Sequence, residues 1–264
     1  MQMLLSLPFT VGKKALKIWA GIGDFGRYCL SIALSFKSLR YLRFRSLYVI
    51  VINQTRFTGI DALNFVVLIA LIIGATVIIQ ATTNLPKFGT EGFIGNLLVI
   101  IVARELGPLI TALIVISRSG SAIAAEISTQ KQNQEILSME IMGIDTRLYI
   151  VFPRILASIL SIFSLIMIFD LTAFIGGYVI ARSTVYIAPE AFLQTLVDAF
   201  SLKDLLATLI KSIIYGTLVP LICCYYGFKA SSKFEVPIFV SRAVIRTLFT
   251  IIVVNVVISI LFYF

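Results

Sequence analysis

Residues Phe93 to Ser117 read FIGNLLVIIVARELGPLITALIVIS, and the only charges in that run are the neighbours Arg104 and Glu105. The run is long and apolar enough to cross a bilayer. A charge at the bilayer centre costs roughly 2.5–3.5 kcal/mol on insertion scales, so a charged pair there needs a polar surrounding. Neighbouring residues on a helix diverge by about 100°, so Arg104 and Glu105 cannot both face one neighbour. Pro108 cannot donate the backbone hydrogen bond that the Arg104 carbonyl would receive, and Gly107 loosens the same turn. Buried charge beside a broken backbone belongs in a cavity or a helix interface, because lipid satisfies neither.

The rest of the chain fits a membrane setting. Its 264 residues are 59% hydrophobic with a mean hydropathy of +1.02, which describes a polytopic membrane protein. The net charge of +9 is not a nucleic-acid signal. Nine basic residues, from Lys13 to Arg56, precede the first long apolar segment, where they serve as orientation signal and headgroup contact. Cys29, Cys223 and Cys224 have no metal or redox spacing, and there is no histidine, so no metal site or catalytic residue is expected. No G-x-x-x-x-G-K-[ST] phosphate loop occurs. The G-x-G-x-x-G match at Gly21–Gly26 follows no strand and carries no dinucleotide signal.

Five spans are expected, at Ala62–Thr82, Phe93–Ser117, Ile155–Ala181, Leu205–Phe228 and Ala243–Phe264. Basic residues cluster before span one, between spans two and three, and between spans four and five. That pattern puts the N-terminus in the cytoplasm and the C-terminus on the opposite side. Residues 1–61 read as interfacial elements preceding a five-span permease domain at 62–264. Within 1–61, Ala15, Trp19, Ile22, Cys29, Ile32 and Phe36 recur at helical spacing, as in an amphipathic helix lying in the interface or packed on the protein. The fold class is therefore all-α.

The connection at about 118–147 begins with the small-residue run Ser117–Glu126, which predicts close helix packing. It continues with Glu135, Ile136, Met139, Glu140 and Met142, a short helix closed by Gly143. Such a helix either docks a soluble partner or lies passively on the membrane. Asp170 and Lys211 are further buried charges, expected to approach each other. An ion- or proton-coupled transporter relaying through Glu105 and Asp170 is the rival reading from the residues alone.

Three blocks carry a family resemblance. Arg104-Glu105-Leu106-Gly107-Pro108, the run Arg118–Glu126, and Glu140–Asp145 with Pro153-Arg154 resemble the MlaE permease family. The resemblance implies the membrane subunit of an ABC transporter moving phospholipid between membranes. It implies a permease homodimer, a separate ABC ATPase subunit holding ATP and Mg, a ring of MCE-domain proteins opposite and, in some systems, a STAS-domain protein. It also implies a bacterial inner membrane or plastid inner envelope, with no cofactor on this chain. Carried over, Arg104, Glu105 and Lys211 line the lipid cavity, together with Asn255 where some members have a carboxylate. Gly107 and Pro108 break the helix, and Glu126, Glu135, Met139, Glu140 and Gly143 fall in the region that couples to the ATPase.

Overall fold

The computed structural model describes residues 23–32, 34, 44–84, 94–185 and 188–263, all in helices, turns or short connections. Ala15, Trp19, Ile22 and Phe36, expected in the interfacial helix, lie outside the described residues. Among the described residues five helices are long and apolar enough to cross a membrane: Tyr48–Thr83, Gly95–Gln132, Thr146–Ser183, Leu202–Lys229 and Lys233–Tyr263. These are the five spans expected, each extended at one end or both.

Helix α1 (residues 23–32) is followed by α2 (Phe44–Thr58) and α3 (Leu63–Asn84), the latter two joined by a turn at Gly59. Helix α3 is span one. Span three, α8 (Thr146–Val185), is the centre of the bundle and packs on it through residues without side-chain bulk. A methyl on Gly74 would overlap the Ala173 carbonyl, and one on Gly176 would lie 3.0 Å from the Leu71 carbonyl. Such contacts let helix backbones approach where lipid offers no hydrophobic drive for association. Span four, α10 (Leu202–Lys229), meets span three the same way, with Gly216 against the Ile159 backbone. Its start is fixed by a capping box between Ser201 and Asp204. Span five is α11 (Val236–Tyr263). The short α9 (Pro189–Ala199) closes the far end, with Thr195 against Gly95.

The break expected at Gly107 and Pro108 does not interrupt span two, which stays helical from Gly95 to Gln132. Pro108 sits in the first turn of an α-helical segment, but the helix is not uniform. It begins as α4 (Ile94–Leu98), widens to a π-helix at Val99–Leu106, tightens to α5 (Gly107–Val115), widens again at Ile116–Gly120, and ends as α6 (Ser121–Gln132). In the first wide segment the Gly107 amide bonds the Val102 carbonyl, five residues back. The small-residue run packs as its composition predicts. Gly120 faces Cys223, Gly227 faces Ala124 and Ile127, and Ser128 Oγ bonds the Gly227 carbonyl at 3.2 Å. Its residues continue the helix, so the irregular connection shrinks to a few residues on either side of α7 (Glu135–Ile141).

Both ends of α7 are sharply defined. Gln134 precedes it with φ 62°, and Gly143 follows with φ 77°. The Gly143 amide reaches the Glu140 carbonyl and the Ile144 amide the Met139 carbonyl, each at 3.0 Å. This paired closure requires a left-handed residue, which glycine adopts without strain.

Candidate functional site

Arg104 and Glu105 sit in the first π-helical segment. Contrary to the expectation that sequence neighbours cannot share one neighbour, both reach spans four and five, Arg104 to Asp204 and Tyr263 and Glu105 to Lys211 and Asn255. Lys211 of span four completes what Pro108 leaves open. Its ammonium donates to the Arg104 carbonyl at 2.7 Å and to Ser259 Oγ at 3.0 Å, and lies 3.6 Å from Glu105 Oε2. A side chain from another helix thus replaces the missing backbone N–H. Satisfying that carbonyl matters because an unpaired buried acceptor costs about 1–3 kcal/mol.

The remaining groups form a ladder along spans four and five. At its deep end, Asn255 donates through Nδ2 to Glu105 Oε2 at 3.1 Å and accepts from the Tyr215 hydroxyl at 2.6 Å. At its far end, Arg104 Nη2 donates to Asp204 Oδ2 at 3.2 Å, with Nε 2.9 Å from Oδ1. The Tyr263 hydroxyl donates to Asp204 Oδ1 at 3.0 Å, and its ring lies 4.9 Å from the guanidinium. Asn255, Ser259 and Tyr263 are spaced four apart, so they line one stripe of span five.

Exposure sorts these groups. The side chains of Lys211 and Asp204 are 1% and 3% exposed, whereas those of Arg104 and Glu105 are 23% and 39% exposed. The span-two charges therefore meet the exterior, and the span-four charges hold them from behind. The four residues predicted for the cavity, Arg104, Glu105, Lys211 and Asn255, come together. Asp204, Tyr215, Ser259 and Tyr263 join them without having been foreseen.

Asp170 and Lys211, expected to approach each other, form no direct pair: Lys211 is bound by the Arg104 carbonyl, Ser259 and Glu105. Asp170 is buried on the span-three face that meets span two, where a methyl on Gly107 would lie 2.5 Å from its Oδ1. That oxygen has no hydrogen-bond partner. The two residues face different neighbours, Asp170 toward Gly107 and Lys211 toward Arg104, Glu105 and Ser259.

The residues predicted for coupling occupy the opposite, basic end. Glu126 on α6 pairs with the buried Arg154 of span three at 2.8 Å. Glu135 accepts from Asn133, Glu140 accepts from Thr146, and Met139 packs against the core. The opposite side of α7 leaves Leu137, Ile141 and Met142 at 50%, 78% and 67% exposure. Nearby, Arg118 ties the second π-helical segment to the turn before span one, through the Phe57 carbonyl and Asp61 Oδ2, both at 3.1 Å.

Five membrane-length helices packed around a polar ladder define an integral membrane protein of the polytopic all-α class. The family model described as Permease MlaE matches residues 51–261, and the chain belongs to that permease family. It is similar to a probable ABC transporter permease protein of Rickettsia felis, 28% identical over 263 residues and 99% of each chain. A probable ABC transporter permease protein of Rickettsia typhi is 30% identical over 227 residues, 86% of this chain and 85% of its own. The intermembrane phospholipid transport system permease protein MlaE of Haemophilus influenzae is 26% identical over 246 residues, 93% of this chain and 91% of its own.

Proposed function

We propose that this permease forms the membrane path of an ABC transporter that moves phospholipid between membranes, with ATP and Mg held by a separate subunit. The observation that carries this reading is the ladder itself: two partly exposed, opposite charges held inside apolar spans by buried partners. A lipid headgroup brings a phosphate and polar atoms to a place where acyl chains also fit, and Arg104 and Glu105 offer it one charge of each sign. Two copies of the chain would enclose the path, since spans one and five expose wide apolar faces, including Phe65, Leu68, Phe249 and Val256. Helix α7 would take the push of the ATPase on Leu137, Ile141 and Met142. The continuous helix from α7's neighbour α6 back to Arg104 would carry that push to the ladder.

In this reading the N-terminus and α7 are cytoplasmic, the C-terminus faces the opposite side, and an MCE-domain ring stands over the far end. The membrane is a bacterial inner membrane or a plastid inner envelope, and a STAS-domain protein belongs with the ATPase in some such systems. An ion-coupled relay through Glu105 and Asp170 is less well supported. Glu105 is engaged by Asn255 and Lys211, and Asp170 lies against Gly107 on another interface.

The test is Glu105→Ala in vesicles reconstituted with the ATPase. Lipid transfer should fall by about tenfold, as for the loss of one charge-assisted contact, with assembly unchanged. Transfer at the unaltered rate would remove Glu105 from the path.

A further inference from the structure

A concave site lies at the basic end and shares no lining residue with the ladder. It has a volume of about 640 Å³ and is enclosed by α1, the end of α6, α7, the start of span three and the end of span four. That volume falls within the usual span of small-ligand pockets, about 300–1,000 Å³. Aromatic rings form one wall: Tyr28 of α1 packs 5.3 Å from Tyr225, with Phe228 beyond it at 6.4 Å.

Charge in this cavity is uneven. Arg27, Lys131, Arg147 and Lys229 line it against only Asp24 and Glu140. Both carboxylates are already engaged, Asp24 by Arg27 at 3.3 Å and Glu140 by the Thr146 hydroxyl at 3.2 Å. Lys131, Arg147 and Lys229 have no carboxylate partner among the described residues. Lys131 donates to the Phe228 carbonyl, Arg147 to Ser31 Oγ at 3.0 Å, and Lys229 rests 4.3 Å from the Tyr225 ring centre. Each keeps donors to spare, above all the five-donor guanidinium of Arg147.

Basic residues at one end of a membrane protein are ordinary and set orientation. Here, however, they arrive from separate elements and converge on one hollow beside an aromatic wall and the apolar Ile136 and Leu137. We propose that this cavity binds a phosphate ester, with Arg147, Lys131 and Lys229 on the phosphate oxygens and the apolar wall on the adjoining carbon chain. Convergent cations with unused N–H donors are the arrangement that phosphate recognition uses. The ester is either the headgroup of an anionic phospholipid in the adjacent leaflet or a soluble phosphate ester. The site uses no residue of the ladder and does not depend on the transport reading.

The experiment places a photoreactive benzoylphenylalanine at Leu137, half-exposed on the cavity rim, in the full chain. The protein is held in nanodiscs of phosphatidylcholine with about one third phosphatidylglycerol, a proportion chosen to supply a strong anionic surface. Cross-links to phosphatidylglycerol should exceed those to phosphatidylcholine and fall about tenfold in Arg147→Gln/Lys229→Gln. The same probe at Leu171, exposed on span three, should show no such change and reports that the variant is folded. Loss of the Leu137 cross-link on adding millimolar glycerol phosphate assigns the site to a soluble ester; its persistence assigns it to the lipid. Cross-links indifferent to lipid charge and to the double substitution overturn the proposal.

Discussion

Spans one and three meet through glycines, whereas around Arg104 spans two, four and five meet through charges. At the first interface Gly74 and Gly176 bring backbones together, and no ion pair joins the two spans among the described residues. At the second, Arg104 and Glu105 are held by Asp204, Lys211 and Asn255. Close backbone packing has one arrangement and fails when it is disturbed. A ladder of donors and acceptors has several, because a ligand oxygen can take the place of a protein one. The contrast separates a fixed frame from a surface that can exchange partners.

Gly74→Val should break the frame outright. Its side chain would collide with the Ala173 backbone, which no rotamer change relieves, so a loss of about 3 kcal/mol or more is expected. Size-exclusion profiles should show little folded protein. A wild-type profile would mean that the two spans can separate, and the distinction between frame and ladder would fall.

Lys211→Met should be the next most damaging change. It strips the Arg104 carbonyl of its donor and Glu105 of its cation, for about 2–3 kcal/mol. Adding Glu105→Gln should recover part of the melting temperature, since the uncompensated charge is then gone. No recovery in the double variant would show that the two side chains act independently.

Asp204→Asn should cost least in stability, about 1 kcal/mol, because asparagine still caps span four while the charge opposite Arg104 is lost. Lipid transfer should fall further than melting does. Equal and small changes in both would reduce Asp204 to a helix cap.

The spans were legible because charge is scarce in this chain and each apolar run stands out. Arg104, Glu105 and Lys211 announced themselves as charges in such runs. Asp204 did not, because an acidic residue three positions after Ser201 at a helix start reads fully as a cap, which it also is. Tyr215, Ser259 and Tyr263 carry no charge. Their only signal was the four-residue spacing that Ser259 and Tyr263 share with Asn255. Asp170 shows the limit from the other direction. Its depth could be counted along span three, but the side of the bundle it faces depends on how helices are arranged around one another. The run Ser117–Glu126 looked like the opening of a connection, yet its small residues let it stay helical against spans four and five.

Lys211 stands 107 positions after the Arg104 carbonyl it completes, and that separation is also a delay. At roughly 5–20 residues per second of synthesis, span two waits on the order of 5–20 s for its missing donor. Throughout that interval its charges and its open carbonyl lie in a half-built protein. The stretch of synthesis between residues 108 and 211 is therefore the interval in which Arg104 and Glu105 acquire their charged partners, Asp204 and Lys211.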